Sequence, residues 1–528
     1  MGTYLNPGNS GFAEMIQSGY VDKTGATRLI NRTIGTKKKL TCISRPRRFG
    51  KSYTAQMLCA YYDRSCDSSM LFADLEIARD PDYDAHRNQY NVIYLDMTNI
   101  MGDNREDGEQ KPFISFIIRR VTEELLKEYP EMPQGESFSN TLVNAVEYSK
   151  RPFIMLIDEW DAPIRETPEY EKEYLKFLRT LFKSSSTTSK IFAAAYMTGI
   201  LPIKKDGSES ALSDFKEYTV LDPGPFAEYI GFTETEVRDL CQEYGRSFEE
   251  AKKWYDGYRF ENTESIYNPY SIMCAMQSGK FKSYWKKTSA AESLLTYIDM
   301  DEEGLQADVV RLIGGEMIEV DPDGFENDTR TFQNKDDVFT LMIHLGYLNW
   351  QEDEDGVGYA GIPNEEIRME FNKILRRGKH HELIRLVQES DELLKKTLAG
   401  DGDAVAAAIS RVHDSNYAPQ FYNDEQALRS TIRMAYLSCV DQYLKIEELP
   451  SGHGVADLVF VPKRRSMLPA IVMELKWDKT DTAAIAQIKE RSYPAVLQNF
   501  GGEILLVGIN YDAKTKVHQC RIEQLEQE

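Results

Sequence analysis

The stretch from Lys39 to Tyr61 constrains this chain more than any other. A short apolar run, Lys39 to Ile43, leads through the basic turn Ser44-Arg45-Pro46-Arg47-Arg48-Phe49 to Gly50-Lys51-Ser52, and then into a helical pattern with Met57, Leu58 and Tyr61 on one face. Strand, Gly-Lys-Ser turn and helix are the parts of a phosphate-binding loop. Amides at a helix N-terminus face an anion, Lys51 adds a mobile point charge, and the Ser52 hydroxyl can hold Mg²⁺. Tyr53 follows on the same helix start. The full pattern G-x-x-x-x-G-K-[ST] asks for glycine at position 45, where this chain has Arg45. A basic surface turn before an ordinary helix reads the same way, so a second half of the site is needed.

Phe153-Ile154-Met155-Leu156-Ile157-Asp158-Glu159 supplies it. Five apolar residues ending in two acids predict a buried parallel strand whose carboxyl end presents carboxylates where open α/β sheets bind ligands. Asp158 is placed to hold Mg²⁺, and Glu159 to polarise the water that attacks a γ-phosphate. Further apolar runs at 91–97 and 190–198 complete a parallel αβα sheet with 39–43 and 153–157. The last run ends in Thr198-Gly199, where Thr198 either senses the γ-phosphate or closes a strand-end turn.

From Phe226 to about Leu398 the pattern turns to helices and polar loops. Thr233-Glu234-Thr235-Glu236 has the form of a capping box. The basic residues Arg376, Arg377, Lys379, His380 and His381 read as a solvated helix end. Ala399-Gly400-Asp401-Gly402-Asp403 reads as a boundary. Beyond it, Glu425 heads an apolar helical run, 427–443, and two strands follow, 455–461 and 470–477. Period-two alternation puts Glu474 and Lys476 on one face, and Asp457 on the partner strand can meet them. Two carboxylates that hold Mg²⁺ or Mn²⁺, with a lysine that orients water, suit phosphodiester hydrolysis. A structural Asp/Glu–Lys ion pair reads equally well from spacing alone. Gln487 and Lys489 lie on the next predicted helix, 482–493, before a last strand at 503–508.

At 528 residues the chain has room for two to four domains. Its net charge of −22 limits nucleic-acid binding to a local patch that salt weakens steeply. Seven scattered cysteines without a C-x-x-C pair argue for reduced, buried thiols in a cytoplasm and against a zinc site. There is no apolar stretch of membrane-span length, and the first residues lack secretory and myristoylation patterns, so a cytoplasmic protein with no membrane contact is expected.

Taken together, these motifs resemble the AAA-ATPase-like proteins with a C-terminal PD-(D/E)XK nuclease-type domain. The resemblance is carried by Tyr20-Val21-Asp22-Lys23-Thr24, Ser44 to Ser52, Ile157 to Asp161, Thr198-Gly199, Trp254 to Tyr258, Tyr267 to Tyr270, Gly346-Tyr347-Leu348 and Ile362 to Glu366. That family's loop also reads Arg-Pro-Arg-Arg-Phe-Gly-Lys-Ser. Its Gly-Arg-x-Asp before Glu-x-Lys is Gly454-Val455-Ala456-Asp457 here, without the arginine. The resemblance implies a P-loop ATPase αβα domain (1–225), a helical middle domain (226–400) and a restriction-endonuclease-like α/β domain (401–528).

The expected activity is ATP-regulated, metal-dependent cutting of DNA. ATP·Mg²⁺ is expected on Gly50, Lys51, Ser52, Tyr53, Asp158 and Thr198, with Glu159 catalytic. Arg47 and Arg48 would contact phosphates or act as arginine fingers across a homo-oligomer interface. In the second site Asp457 and Glu474 would hold Mg²⁺ or Mn²⁺, Lys476 would assist water, and Gln487 would support, with Glu425 a further metal contact. The alternative is an ATP-dependent binding switch whose nuclease fold is a non-cutting scaffold.

Overall fold

The Gly-Lys-Ser turn lies between a buried strand and a helix, as its sequence predicts. The computed structural model describes residues 2–106, 112–183, 185–203, 205–206, 209–210, 212–260, 263–285, 305–326, 332, 334–375, 381–416, 425–436, 439, 443–451, 454–462, 468–490 and 502–525. They divide into two units, one drawn from 1–286 and 319–367, the other from 287–318 and 368–528. Among the described residues no helix is long and apolar enough to cross a membrane.

The first unit is built on β1 (Leu40–Ser44), α1 (Lys51–Tyr62), β2 (Asn91–Asp96), β3 (Phe153–Asp158), β4 (Phe192–Gly199) and β5 (Lys216–Tyr218). The strands form one parallel sheet in the order β2-β3-β4-β1-β5. Strands β1, β3 and β4 are buried along their whole length, which is why they read as continuous apolar runs. Register explains the function of the two faces. Leu95, Ile157, Met197 and Cys42 form one row across the sheet and join a core with Phe116, Val121 and Leu178. The next row, Asp96, Asp158, Thr198 and Ile43, turns to the other face, over which α1 packs.

The middle segment is more than helices and polar loops. It holds a small antiparallel sheet (Phe232–Thr233, Thr263–Tyr267 and Tyr258–Phe260) and a hairpin, Asn349–Glu352 with Gly358–Gly361. The capping box forms, with Thr233 and Glu236 each accepting the other's backbone N–H. The aromatic and turn motifs act as clasps. Tyr258 Oη donates to the Gly346 carbonyl at 2.7 Å, and Asn364 Nδ2 to the Asp256 carbonyl at 2.8 Å. The buried Glu366 carboxylate accepts from Tyr284 N, Trp285 N and Ser271 Oγ.

The second unit carries α2 (Glu425–Ala435), β6 (Tyr443–Ser451), β7 (Gly454–Pro462), β8 (Ala470–Trp477), α3 (Asp481–Glu490), β9 (Ile504–Asp512) and β10 (Val517–Gln524). They form a sheet in that strand order, with β8 and β9 parallel and the other pairs antiparallel. Two expectations change here. The apolar run 427–443 ends as a helix at Ala435, and Tyr443 opens a strand. Strand β10 lies beyond the last strand expected; its outer positions are polar, so no apolar run announces it. Ile471, Met473 and Leu475 pack on one face with Leu428 and Ile432, while Val472, Val459 and Ile485 pack on the other. All seven cysteines are free thiols, but Cys66, Cys274 and Cys520 are only half-buried, which corrects the expectation that all seven are core residues. Residues 376–380 and 463–465 lie outside the described residues.

Gly257 tests the clasp between the middle-segment motifs. Its φ is +111°, and a Cβ there would lie 1.9 Å from the Pro363 carbonyl oxygen. Gly35 also has a positive φ, +71°, but nothing within 4 Å. Thermal and urea unfolding should show Gly35→Ala costing about 1 kcal/mol from backbone strain alone. Gly257→Ala should cost about 3 kcal/mol or more, because backbone must move as well. Equal losses would refute the clasp.

Candidate nucleotide and nuclease-type sites

Gly50 adopts φ +92° at the head of α1, a left-handed turn open to glycine, and nothing lies where its Cβ would be. This turn places Gly50, Lys51 and Ser52 in the lining of a cavity of about 520 Å³. Lys51 is buried, and its Nζ donates to the Pro46 carbonyl at 3.0 Å. Burial lowers its pKa, against the opposing pull of Glu159, Asp161 and Asp158. Asp158 sits at the end of β3, beside the Ser52 hydroxyl. Its Oδ1 accepts from Glu159 N at 3.0 Å and its Oδ2 from Tyr94 Oη at 3.3 Å. Desolvation raises its pKa to about 7, Ser52 opposes that rise, and Glu159 and Asp96 add to it. A hydroxyl beside a buried carboxylate, whose pKa burial raises despite the nearby Lys51, fits a hard divalent cation.

Glu159 has φ +52°, and its Oε2 pairs with Arg165 Nη2 at 3.1 Å. Arg165 is itself fixed by Asp161, Nε to Oδ2 at 2.7 Å. Burial tends to lower the Arg165 pKa, but Asp161 and Glu159 outweigh it and raise the value. Asp161 also accepts the backbone N–H of Ile200 and Leu201, tying the end of β3 to the end of β4. Thr198 lies beside Asp158 in register, buried, and among the described residues its hydroxyl has no hydrogen-bond partner of ordinary geometry.

The loop's basic residues divide. Arg45 is fully buried and donates to the carbonyls of Ser44, Tyr218 and Thr219. Arg48 lines the cavity, donates to the Tyr284 carbonyl at 2.8 Å and stacks on Tyr270 at 4.5 Å. Arg47 is half-buried, and its carbonyl accepts from Asn268 Nδ2. Tyr53 is exposed at the cavity edge. The cavity lining also includes the apolar side chains of Met15, Val21, Tyr229, Phe232 and Met273. Sequence reading assigned none of these five to a site; Val21 lies in a motif it had noted without a role.

In the second unit Glu474 and Lys476 share a face, joined Oε1 to Nζ at 2.8 Å, both buried. Gln487 of α3 also donates to Glu474 Oε1. Asp457 reaches the same end of the sheet: its Oδ2 accepts from Leu475 N at 2.8 Å, the residue between Glu474 and Lys476. The unexpected member is Arg429 of α2, whose Nη2 pairs with Asp457 Oδ1 at 2.7 Å. It brings a guanidinium to a strand that has Val455 where the resembled pattern has arginine. Twenty-eight residues separate the pair, so spacing gave no signal of it. The Glu425 side chain lies outside the described residues. Asp457 and Glu474 are hard oxygen donors suited to Mg²⁺ or Mn²⁺. Among the described residues no three His, Cys, Asp or Glu side chains gather into a metal cluster.

Comparison with known proteins bears on both sites. Residues 7–208 match the family described as "Predicted AAA-ATPase", and residues 423–520 match the PD-(D/E)XK nuclease superfamily. These two matches agree with the architecture that the sequence motifs suggest. A protein of Azotobacter chroococcum mcd 1, described as an uncharacterized protein in the vnfD 5′ region, is 26% identical over 514 residues, covering 94% of this chain and 93% of that one. Among solved structures, the Aeropyrum pernix ORC2 protein in its ADPNP–ADP complexes aligns at TM-score 0.30 and 10% identity, over 68% of this chain and 96% of that chain. The Aeropyrum pernix ORC1 protein in complex with DNA aligns at TM-score 0.21 and 11% identity, over 68% and 93%. The glycine-lysine-serine turn and the Asp158–Glu159 pair fall inside the AAA-ATPase-like match, and Asp457, Glu474, Lys476 and Gln487 inside the nuclease-superfamily match.

The raised pKa of Asp158 has a consequence for stability. The folded protein keeps a proton that the unfolded chain, with an ordinary carboxyl, loses near pH 4. Stability therefore falls as pH rises from about 4 to about 7 and levels off above, by at most about 1.4 kcal/mol per pH unit. Without divalent metal, unfolding of wild type and Asp158→Asn from pH 5 to 8 should show the variant gaining on wild type up to pH 7. A constant difference across that range would remove the effect.

Proposed function

We propose that the chain is an ATP-binding and ATP-hydrolysing switch that controls a C-terminal, Mg²⁺-dependent nuclease-type site acting on DNA. The supporting observation is that Gly50, Lys51, Ser52 and Glu159 line one cavity together with apolar residues such as Val21, Phe232 and Met273, with Asp158 beside Ser52. A polar anion cradle and apolar lining in one cavity suit a nucleoside triphosphate. In this reading residues 1–225 bind nucleotide, 226–400 link, and 401–528 form the nuclease-type part.

Lys51 leaves the Pro46 carbonyl to meet the β- and γ-phosphates, while the amides after Gly50 face the anion. Ser52 and Asp158 would hold Mg²⁺, which when bound offsets phosphate charge. Glu159, released from Arg165, orients the attacking water, and the Thr198 hydroxyl faces the γ-phosphate. Arg48, in the lining of the same cavity, contributes to phosphate binding. In the second site Asp457 and Glu474 would hold the metal, Lys476 orients the water, and Gln487 fixes the Glu474 carboxylate. Binding of DNA would use a local patch, and homo-oligomer contacts would place the exposed Tyr53 and the half-buried Arg47 near a neighbour.

A second reading has its own support. Asp457 is ion-paired with Arg429 and Glu474 with Lys476, which suits a nuclease fold kept as a non-cutting scaffold for a partner or DNA. Incubation with ATP, Mg²⁺ or Mn²⁺, and mixed DNA and RNA separates the two. Cutting that is lost in Lys476→Ala, with ATP hydrolysis lost only in Lys51→Ala, is the expected result. ATP hydrolysis without cutting supports the scaffold. No thermal shift at millimolar ATP in either wild type or Lys51→Ala removes the nucleotide reading.

A further inference from the structure

Asp457 shares its two oxygens between a helix side chain and a strand amide. Oδ1 receives Arg429 Nη2 at 2.7 Å, and Oδ2 receives Leu475 N at 2.8 Å. Both partners of the ion pair are largely buried, with side-chain exposures of 15% and 11%. We infer that Arg429 and a divalent cation compete for Asp457 Oδ1, so that Arg429 sets how readily the nuclease-type site takes up metal. The inference rests on the nuclease reading above.

Space and charge set the two ligands of Asp457 Oδ1 against each other. A cation bound by a carboxylate oxygen sits about 2.0–2.6 Å from it. A guanidinium held by a short charge-assisted bond occupies the same approach and repels a second positive charge there. One partner must yield. The Leu475 amide belongs to a strand paired along its length with β9, so it cannot leave without opening the sheet. Arg429 is held by side-chain bonds alone and not by the sheet ladder, so it is the partner that can yield, by rotation about its own bonds. Withdrawn, it stays beside the carboxylate as a cation available to a phosphodiester, whose two non-bridging oxygens suit its planar fork. The same residue thus guards the acid before metal arrives and faces substrate charge afterwards.

The test is Mn²⁺ binding to the full-length, nucleotide-free protein, read by the loss of the free-ion EPR signal. The variants are Arg429→Gln, Arg429→Lys, Asp457→Asn and the double Arg429→Gln/Asp457→Asn. A carboxylate engaged nine-tenths of the time loses about tenfold in apparent affinity, so Arg429→Gln should bind Mn²⁺ about tenfold more tightly than wild type. Arg429→Lys keeps the charge without the fork and should gain less. The double variant should lose the gain. Arg429→Lys also keeps a cation against Asp457 and so tests the inference if the glutamine variant does not fold. If both Arg429 variants bind as wild type does while Asp457→Asn binds more weakly, the competition is refuted and the metal site stands. If all variants bind alike, the metal is not on Asp457, and the nuclease reading falls with the inference.

Discussion

The phosphate loop depends on a buried cation that takes no part in lining its cavity. Arg45 stands where the usual pattern has its first glycine, and it is wholly enclosed. Its guanidinium donates to the carbonyls of Ser44, Tyr218 and Thr219, with Pro223 more distant at 3.5 Å, and it lies 4.9 Å over the Phe260 ring. Burial lowers its pKa to about 9, so it remains charged at neutral pH. Enclosing a charge is costly unless dipoles replace the lost water, and carbonyls with an aromatic face do so here. The result is a fixed junction between the end of β1, the segment after β5 and the middle segment. Nearby His344 is kept neutral, its pKa pushed down to about 3 by burial and then by Arg45.

How much of this was legible in the sequence follows from how local each feature is. The strands of the first sheet are apolar throughout because both faces are covered, and that pattern shows in any window of five or six residues. Asp158 and Glu159 are legible because they end such a run, and Glu474 and Lys476 because period two places them together. The partners that hold these acids were not legible. Arg165 lies only four residues beyond Asp161, a spacing that suggests pairing but not that Glu159 shares it. Arg429 reaches Asp457 across 28 residues, and nothing local marks it. Strand β10 hid for a third reason: an outer strand with polar, exposed positions has no apolar signature.

The two sites share one electrostatic plan. Each places a carboxylate at a sheet end, largely removed from water, and gives a neighbouring acid or the acid itself to an arginine. A buried ion pair contributes little net stability, whereas removing one partner leaves an uncompensated charge costing about 3–5 kcal/mol. Such pairs are therefore poor as struts and good as holders of a particular arrangement. Asp158 is the exception. Its companions are Ser52, Tyr94, Lys51 and other acids rather than an arginine, and burial, ahead of those neighbouring acids, raises its pKa. Within one chain, the acid beside the Gly-Lys-Ser turn has Lys51 nearby but no arginine among its described partners, while Asp457 is paired with Arg429.

The loop itself is gripped residue by residue. Arg45 meets Phe260, Pro46 lies against Gly346, Arg47 offers its carbonyl to Asn268, Arg48 bonds Tyr284 and stacks on Tyr270, and Phe49 stands edge-on to Tyr258. A Cβ on Gly346 would lie 2.7 Å from Pro46, so the packing leaves no slack. Lys51 is tied back to the same loop through the Pro46 carbonyl. In the proposed reading Lys51 exchanges that carbonyl for a phosphate, Pro46 loses a bond, and closely packed neighbours transmit rather than absorb small shifts. The elements positioned to register the change are those that hold the loop: Tyr284, joined through its amide to Glu366, and Gly346, joined through its carbonyl to Tyr258. The middle-segment motifs, read from sequence as packing and turn chemistry, are thus the mechanical surroundings of the phosphate loop.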